Sequence, residues 1–204
     1  PVTNYGTGFS PYFIPLALWV GALVMFFVVT PISASGIEGH HPSLIVALGS
    51  YWPAALVATA QAVIMLVVLR LGLGLTPVNA PALYGFVILS ALVFVAIIQW
   101  LSGTFGIAGK FLAVVLLMLQ LTSAAGTFPL QLVAPFFQTI SRYLPMTYVV
   151  AGLRQAISGG DLAALRHDAL ILACYGMAAI ALMTVTARRA KSWSRDRLQH
   201  GIEL

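Results

Sequence analysis

The chain has 204 residues, of which 60% are hydrophobic and only 7% are charged, and its net charge is +5. Soluble domains are roughly 45–50% apolar and about 25% charged. A soluble fold of this length could not cover its surface with so few charges. The composition therefore excludes a soluble domain and predicts a chain in contact with the lipid bilayer.

The basic residues are concentrated at one end of the chain. Five of the ten follow directly after a hydrophobic run: Arg188, Arg189, Lys191, Arg195 and Arg197. Such a cluster is typical of a juxtamembrane anchor on the cytoplasmic side, where anionic lipid attracts it. The basic residues do not alternate along one polar face, so we expect no binding of nucleic acid.

Hydrophobic runs of about 20 residues are long enough to cross a bilayer core. Five such runs occur, at about residues 9–29, 51–73, 81–101, 107–125 and 168–187. No repeat or boundary divides the chain, so we predict one all-α membrane domain over residues 1–204 with five transmembrane helices. In the second run, Pro53 is placed in the first helical turn, where proline is tolerated.

The basic tail also predicts the orientation of the spans. If the tail is cytoplasmic, alternation places the 31–50 loop and a turn at 102–110 inside and residues 126–167 outside. Polar side chains within the spans are few. Gln61 and Gln120 are interpreted either as contacts between helices or as part of a substrate pathway. Arg70 either extends outward to the surface or marks a polar cavity.

The segment 126–160 is apolar, but prolines divide it into pieces too short to span. Two amphipathic helices are predicted, the first with Phe136 and Phe137 on its apolar face, together with Ile140 and Leu144. The second carries apolar side chains at helical spacing: Met146, Val149, Val150, Leu153 and Ile157. Each helix would measure about 15–20 Å, against about 30 Å for the bilayer core. We therefore predict an outer hairpin that is either re-entrant or interfacial.

The hairpin is the main candidate functional region. It either caps the bundle or acts as a gate or docking surface, and the sequence leaves both readings open. The candidate residues are Phe128, Pro129, Pro135, Phe136, Phe137, Pro145, Tyr148 and Arg154.

Several blocks of this sequence resemble the carboxy-terminal membrane domain of YhgE/Pip proteins. They are Asn4–Leu23, Ser123–Gln131, Pro135–Phe137 and Leu144–Arg154, the last reading Leu-Pro-Met-Thr-Tyr-Val-Val-Ala-Gly-Leu-Arg. This family is similar to the wider group of ABC-2 permeases, whose members carry a proline-broken hairpin before the last span. Full-length members have further amino-terminal regions, so the chain is expected to be the carboxy-terminal part of a longer protein.

The resemblance implies a multi-pass protein of the bacterial plasma membrane, with a cytoplasmic carboxy-terminus, that takes part in export. It also implies a homo-oligomer or larger membrane assembly, with a separate ATPase or secretion component as partner. Relatives are linked to phage infection and to type VII secretion. The alternative is a non-transporting anchor or receptor for an extracytoplasmic domain that phage or a secretion system docks on.

The inner loop contains Glu38, His40 and His41, which together could bind a metal, form a solvated turn or contact a cytoplasmic partner. Three such residues on a short loop are a weak signal, and we predict no metal. The stretch Gly103–Lys110 lacks the Walker A spacing, since Phe follows its Lys. With no nucleophile–base pair either, we expect no nucleotide site, no cofactor and no enzyme activity.

Overall fold

The computed structural model describes residues 5–32, 42–124 and 134–200, with side chains described between residues 8 and 190. Within these ranges the chain forms seven helices and no strand. They are α1 (Tyr5–Val28), α2 (Ser43–Gly72), α3 (Ala80–Phe105), α4 (Ile107–Ser123), α5 (Pro135–Ser141), α6 (Pro145–Ser158) and α7 (Leu162–His200).

Helix α3 is the centre of the bundle and packs against α1, α2, α4 and α7. In its most apolar window 61% of the residues are buried, against 28% for α2 and for α7. The fully buried Trp19 of α1 joins three helices. Its ring meets Phe94 of α3 edge-on at 4.9 Å between centroids, and its indole N–H donates to the Ala113 carbonyl of α4 at 3.1 Å.

The prediction of five spanning helices is wrong in number. In the described part of the chain, four helices are long and apolar enough to cross a membrane: Gly8–Val28, Ser43–Gly72, Ala80–Phe105 and Leu162–Ala190. The predicted fourth span is α4, an apolar helix of only 17 residues. It measures about 25 Å at 1.5 Å per residue, less than the core of about 30 Å. Apolar composition continued past Ser123, but the helix ends there.

Two helices also begin earlier than predicted. Helix α2 starts at Ser43, so Pro53 lies inside it rather than in its first turn. Helix α7 starts at Leu162, where the Asp161 carboxylate accepts a hydrogen bond from the Ala163 N–H at 2.8 Å. The backbone of α7 then continues through the basic segment to His200. Both extensions arise because helices continue beyond the most apolar residues that define a predicted span.

The predicted turn at 102–110 is a break of one residue, Gly106, between α3 and α4. Its φ of 60° lies in the left-handed region, which glycine adopts without steric cost. The two helices then pack so closely that a Cβ on Gly109 would overlap the Leu101 carbonyl oxygen. Glycine at both positions makes this tight hairpin of helices possible.

The two ends of the bundle are distinct. At the Gly106 end, the Lys110 ammonium lies 5.0 Å from the centre of the Phe27 ring, and Thr104 bonds Thr186 at 2.8 Å. At the opposite end, the Asn79 end, the N–H groups of Val78 and Asn79 each donate at 3.3 Å to carbonyls in the last turn of α6. Helix α6 therefore finishes beside the connection between α2 and α3.

Candidate functional site

Helix α6 is embedded in the bundle. Eight of its 14 residues are buried, including all five of the predicted apolar positions. It packs against α1, α3, α4 and α7, while Arg154 lies on its exposed side. Gly152 faces the Phe86 ring of α3, where any Cβ would overlap the ring. The helix therefore forms part of the core rather than lying over one end of the bundle.

Two hydrogen bonds fix how deep α6 begins. The Tyr175 hydroxyl of α7 donates to the Tyr143 carbonyl at 2.9 Å, and the Met146 N–H donates to the Gln120 side-chain oxygen at 3.1 Å. Tyr175 lies 13 residues after Leu162, and Gln120 lies 13 residues after Ile107. At 1.5 Å per residue, each of these two residues lies about 20 Å from the start of its helix.

The chain therefore enters the bundle interior before α6 returns to the Asn79 end. The turn at residues 142–144 lies deep between α4 and α7, and Gly159 ends α6 in the left-handed conformation at φ 78° beside Val78. We call α5 and α6 together the re-entrant pair. The burial of α6 inside the bundle favours the re-entrant geometry, one of the two left open by the sequence.

Gln120 provides the hydrogen-bond acceptor at the start of α6. The residue before the helix, Leu144, provides no side-chain cap, and the first N–H groups of any helix lack partners within it. The Gln120 side chain is fully buried, and its oxygen accepts the Met146 N–H. Its amide nitrogen has no hydrogen-bond partner among the described residues. Gln120 is therefore a contact between α4 and α6.

Replacing Gln120 with leucine should loosen the start of α6. The Met146 N–H would remain buried without an acceptor, which costs about 1–3 kcal/mol. We expect a lower melting temperature in detergent and faster proteolysis at the turn at residues 142–144. The matched control is Thr122→Val on the same helix, because this exposed hydroxyl bonds the Met118 carbonyl of its own helix. Equal stability of the two variants would contradict the proposed role of Gln120.

The other amides within the spans are also contacts between elements. The Gln61 side chain donates to the Ala17 carbonyl of α1 at 2.8 Å, across Gly21, which leaves room for it. Gln99 donates to the Pro31 carbonyl at 2.8 Å. Each amide thus bonds the backbone of a different segment, as expected for polar groups that join helices in lipid.

The apolar face predicted for α5 is partly wrong. Phe136 is 60% exposed, whereas the polar Ser141 is buried, and its hydroxyl lies 3.4 Å from the Thr147 hydroxyl. In a bilayer a phenyl ring can face lipid at no cost in free energy. The buried position is therefore taken by the small Ser141, whose hydroxyl can bond its neighbour. Pro135 and Pro145 begin α5 and α6, a position that suits proline.

The remaining predicted residues fall into two groups. The Tyr148 hydroxyl donates to the Arg142 carbonyl at 2.6 Å and so closes the turn inside the re-entrant pair. Residues outside the described part of the chain are Phe128, Pro129, Glu38, His40 and His41.

Arg70 has a partner that sequence reasoning missed. It lies in the last turn of α2, and its guanidinium donates to the Tyr84 hydroxyl of α3 at 2.6 Å. The two residues flank a short connection between helices, and tyrosine is enriched at membrane interfaces. Those two signals together could have suggested the pair.

The long apolar helices and the embedded re-entrant pair define a multi-pass α-helical membrane protein. The chain is 39% identical over 187 residues to YhgE, an uncharacterized protein of Bacillus subtilis (strain 168). The match covers 89% of this chain but 23% of that relative, so the chain spans about a quarter of its length. The resemblance to YhgE proteins therefore holds for one part of such a protein. No family model and no solved structure matches the chain.

Proposed function

We propose that this chain is the membrane domain of a YhgE/Pip-type protein and takes part in export across the bacterial plasma membrane, as ABC-2 permeases do. The observation that carries the proposal is the re-entrant pair, which lies immediately before the last membrane helix. In this proposal the basic tail faces the cytoplasm, and a separate ATPase or secretion component supplies the energy.

The interior of a single bundle leaves little room for a substrate. Large side chains that are fully buried fill it, among them Trp19, Phe26, Phe94, Met146 and Leu153. A pathway would therefore form beside the bundle, between copies of the chain. This is the reason that a homo-oligomer belongs to the proposal.

The turn of the re-entrant pair is the best candidate to line such a pathway. Arg142 and Tyr143 are exposed, although the Tyr143 carbonyl lies at the level of Tyr175, well inside α7. Non-helical backbone at membrane depth is tolerated where protein or water covers it, and intramembrane cations usually face a polar cavity. Water between copies would solvate the Arg142 guanidinium and the Tyr143 side chain.

Thiol labelling tests whether this turn meets water. Cys174, which is exposed, is first replaced by alanine, and Tyr143→Cys is then introduced into the full-length protein in native membranes. We expect a charged, membrane-impermeant maleimide to label it. The matched control is Met118→Cys, which is 61% exposed at a similar depth on α4 and should face lipid. Equal labelling of both positions, or none at Tyr143→Cys, would exclude an aqueous pathway at the turn.

A non-transporting anchor is the second candidate, favoured because this chain spans only 23% of its relative. In that case the membrane helices would simply hold a larger extracytoplasmic region. Affinity purification of the full-length protein from native membranes separates the two functions. An ATPase or secretion component among the bound proteins supports export. Its absence, together with an unlabelled Tyr143→Cys variant, supports the anchor.

A further inference from the structure

An apolar groove runs along the surface between α2 and α3, near the Asn79 end. Its volume is about 350 Å³, and its walls are formed by Val63, Leu66, Val67 and Ile88. Val63 and Val67 are 45% and 49% exposed, so the groove opens to the surroundings of the bundle. Since α2 and α3 are both long enough to span a membrane, those surroundings are lipid chains.

One end of this groove is polar and cationic. Arg70 and Tyr84 complete its lining, with their side chains bonded to each other at 2.6 Å. A guanidinium has five N–H donors, and this bond uses one of them. The Tyr84 oxygen acts here as the acceptor, so its own O–H remains to be donated. The pair therefore presents several donors and a positive charge at one point.

Within the described part of the chain, no carboxylate forms an ion pair with Arg70. Among the described residues the ion pair that forms joins His167 and Asp168, not Arg70. The whole sequence has five acidic residues against ten basic ones. The charge of Arg70 is therefore not balanced by an acidic side chain of the described helices, which leaves it available to an anionic ligand.

We propose that this groove binds an anionic phospholipid, with the phosphate on Arg70 and Tyr84 and one acyl chain along the valines and Ile88. Arg70 lies seven residues beyond Val63, about 10 Å along the helix, so the site extends from the headgroup level into the hydrocarbon. Arginine and tyrosine both suit the interface, and arginine bonds phosphate oxygens in pairs. The proposal does not depend on export.

A second groove provides an internal comparison. It lies between α1 and α2, with a volume of about 380 Å³. Its lining includes the apolar side chains of Phe9, Phe13, Ile14, Met65, Leu69 and Leu73. It is similar in size but lacks a cationic side chain, so we expect it to accept acyl chains without regard to headgroup charge. Selectivity for anionic lipid should therefore come from the Arg70 groove.

Native mass spectrometry of the purified protein with added phosphatidylglycerol or phosphatidylcholine tests the proposal. We expect wild type to retain phosphatidylglycerol preferentially and Arg70→Gln to bind it about tenfold more weakly. The matched control is Arg166→Gln, because Arg166 is also exposed on a helix near the Asn79 end but lines neither groove. Equal retention of the two lipids, or an equal loss in Arg166→Gln, would overturn the proposal.

Two further measurements separate the lipid from free phosphate. Val67→Trp should fill the groove while leaving Arg70 in place, and we expect it to reduce phosphatidylglycerol retention as well. Millimolar inorganic phosphate should leave the bound lipid in place. Displacement of the lipid by phosphate, or full retention in Val67→Trp, would show an anion site that does not use the acyl chain and would overturn the lipid assignment.

Discussion

Replacing Gly109 with alanine is expected to separate α3 from α4 and to lower the free energy of unfolding by about 3 kcal/mol, near the upper end of typical overpacking costs. The added Cβ would overlap the Leu101 carbonyl oxygen and come within 3.0 Å of the Ser102 nitrogen. These are backbone atoms, so no side-chain rotation can relieve the overlap. The helices themselves would have to move apart, although they are joined at Gly106.

The effect can be measured as the temperature at which the protein loses its monodisperse peak on size exclusion in detergent. Gly85→Ala is the matched control, because it adds the same methyl group to α3 where nothing lies within 4 Å. Alanine favours a helix over glycine by up to about 1 kcal/mol, so the control should be neutral or slightly stabilised. If both variants lose the peak at the same temperature, the result contradicts the close packing of α3 against α4 at Gly109.

Gly152→Ala is expected to displace the re-entrant pair. Its Cβ would lie 2.7 Å from one ring carbon of Phe86 and 2.9 Å from another, and it would be closer still to the tip of the ring. Phe86 is only 4% exposed, so its ring has little space to move. We expect a loss of about 2 kcal/mol in stability and, if the proposed function is right, loss of export.

The double variant Gly152→Ala with Phe86→Leu should restore both properties in part, because the shorter side chain leaves room for the methyl group. Combining the single and double variants measures the coupling between α6 and α3 directly. Gly49→Ala, where nothing lies within 4 Å, controls for the helix-propensity change alone. Lack of rescue, with a fold that otherwise survives, would mean that α6 does not pack on Phe86.

The two largest expected effects on stability come from Gly109 and Gly152. The sequence identified neither of them as a point of close contact between helices. A glycine inside an apolar run is common, and nothing nearby in the chain marks which one approaches another helix. Gly109 lies next to residues only eight positions earlier, whereas Gly152 faces a residue 66 positions away. Such contacts depend on how helices are arranged in space, so local patterns do not reveal them.

Local chemistry did determine α6. Pro145 suits a first helical position, and Gly159 can end the helix with a positive φ. Between them the apolar residues repeat at helical spacing, and the structure buries all five. These signals are contained within one segment, which is why the helix and its buried face could be predicted without the rest of the chain.

Depth and partners were decided only by the tertiary structure. Gln120 was recognised as polar and intramembrane, but its bond to the Met146 N–H requires α6 to enter the bundle. Arg70 was identified as a charge near a surface, while its bond to Tyr84 depends on the packing of α2 against α3. The length of α4 was also decided by the tertiary structure, because the helix ends at Ser123 although the apolar run continues.

The sequence by itself determined that this is a helical membrane protein, because its composition leaves too few charges to cover a soluble surface. It could not determine which apolar side chains pack inside. Phe26 is 1% exposed and its neighbour Phe27 is 62% exposed, although the two residues are identical in type. In lipid both faces of a helix are apolar, so hydrophobicity does not distinguish them. Shape complementarity between helices and a few polar contacts make that selection, and only the tertiary structure contains them.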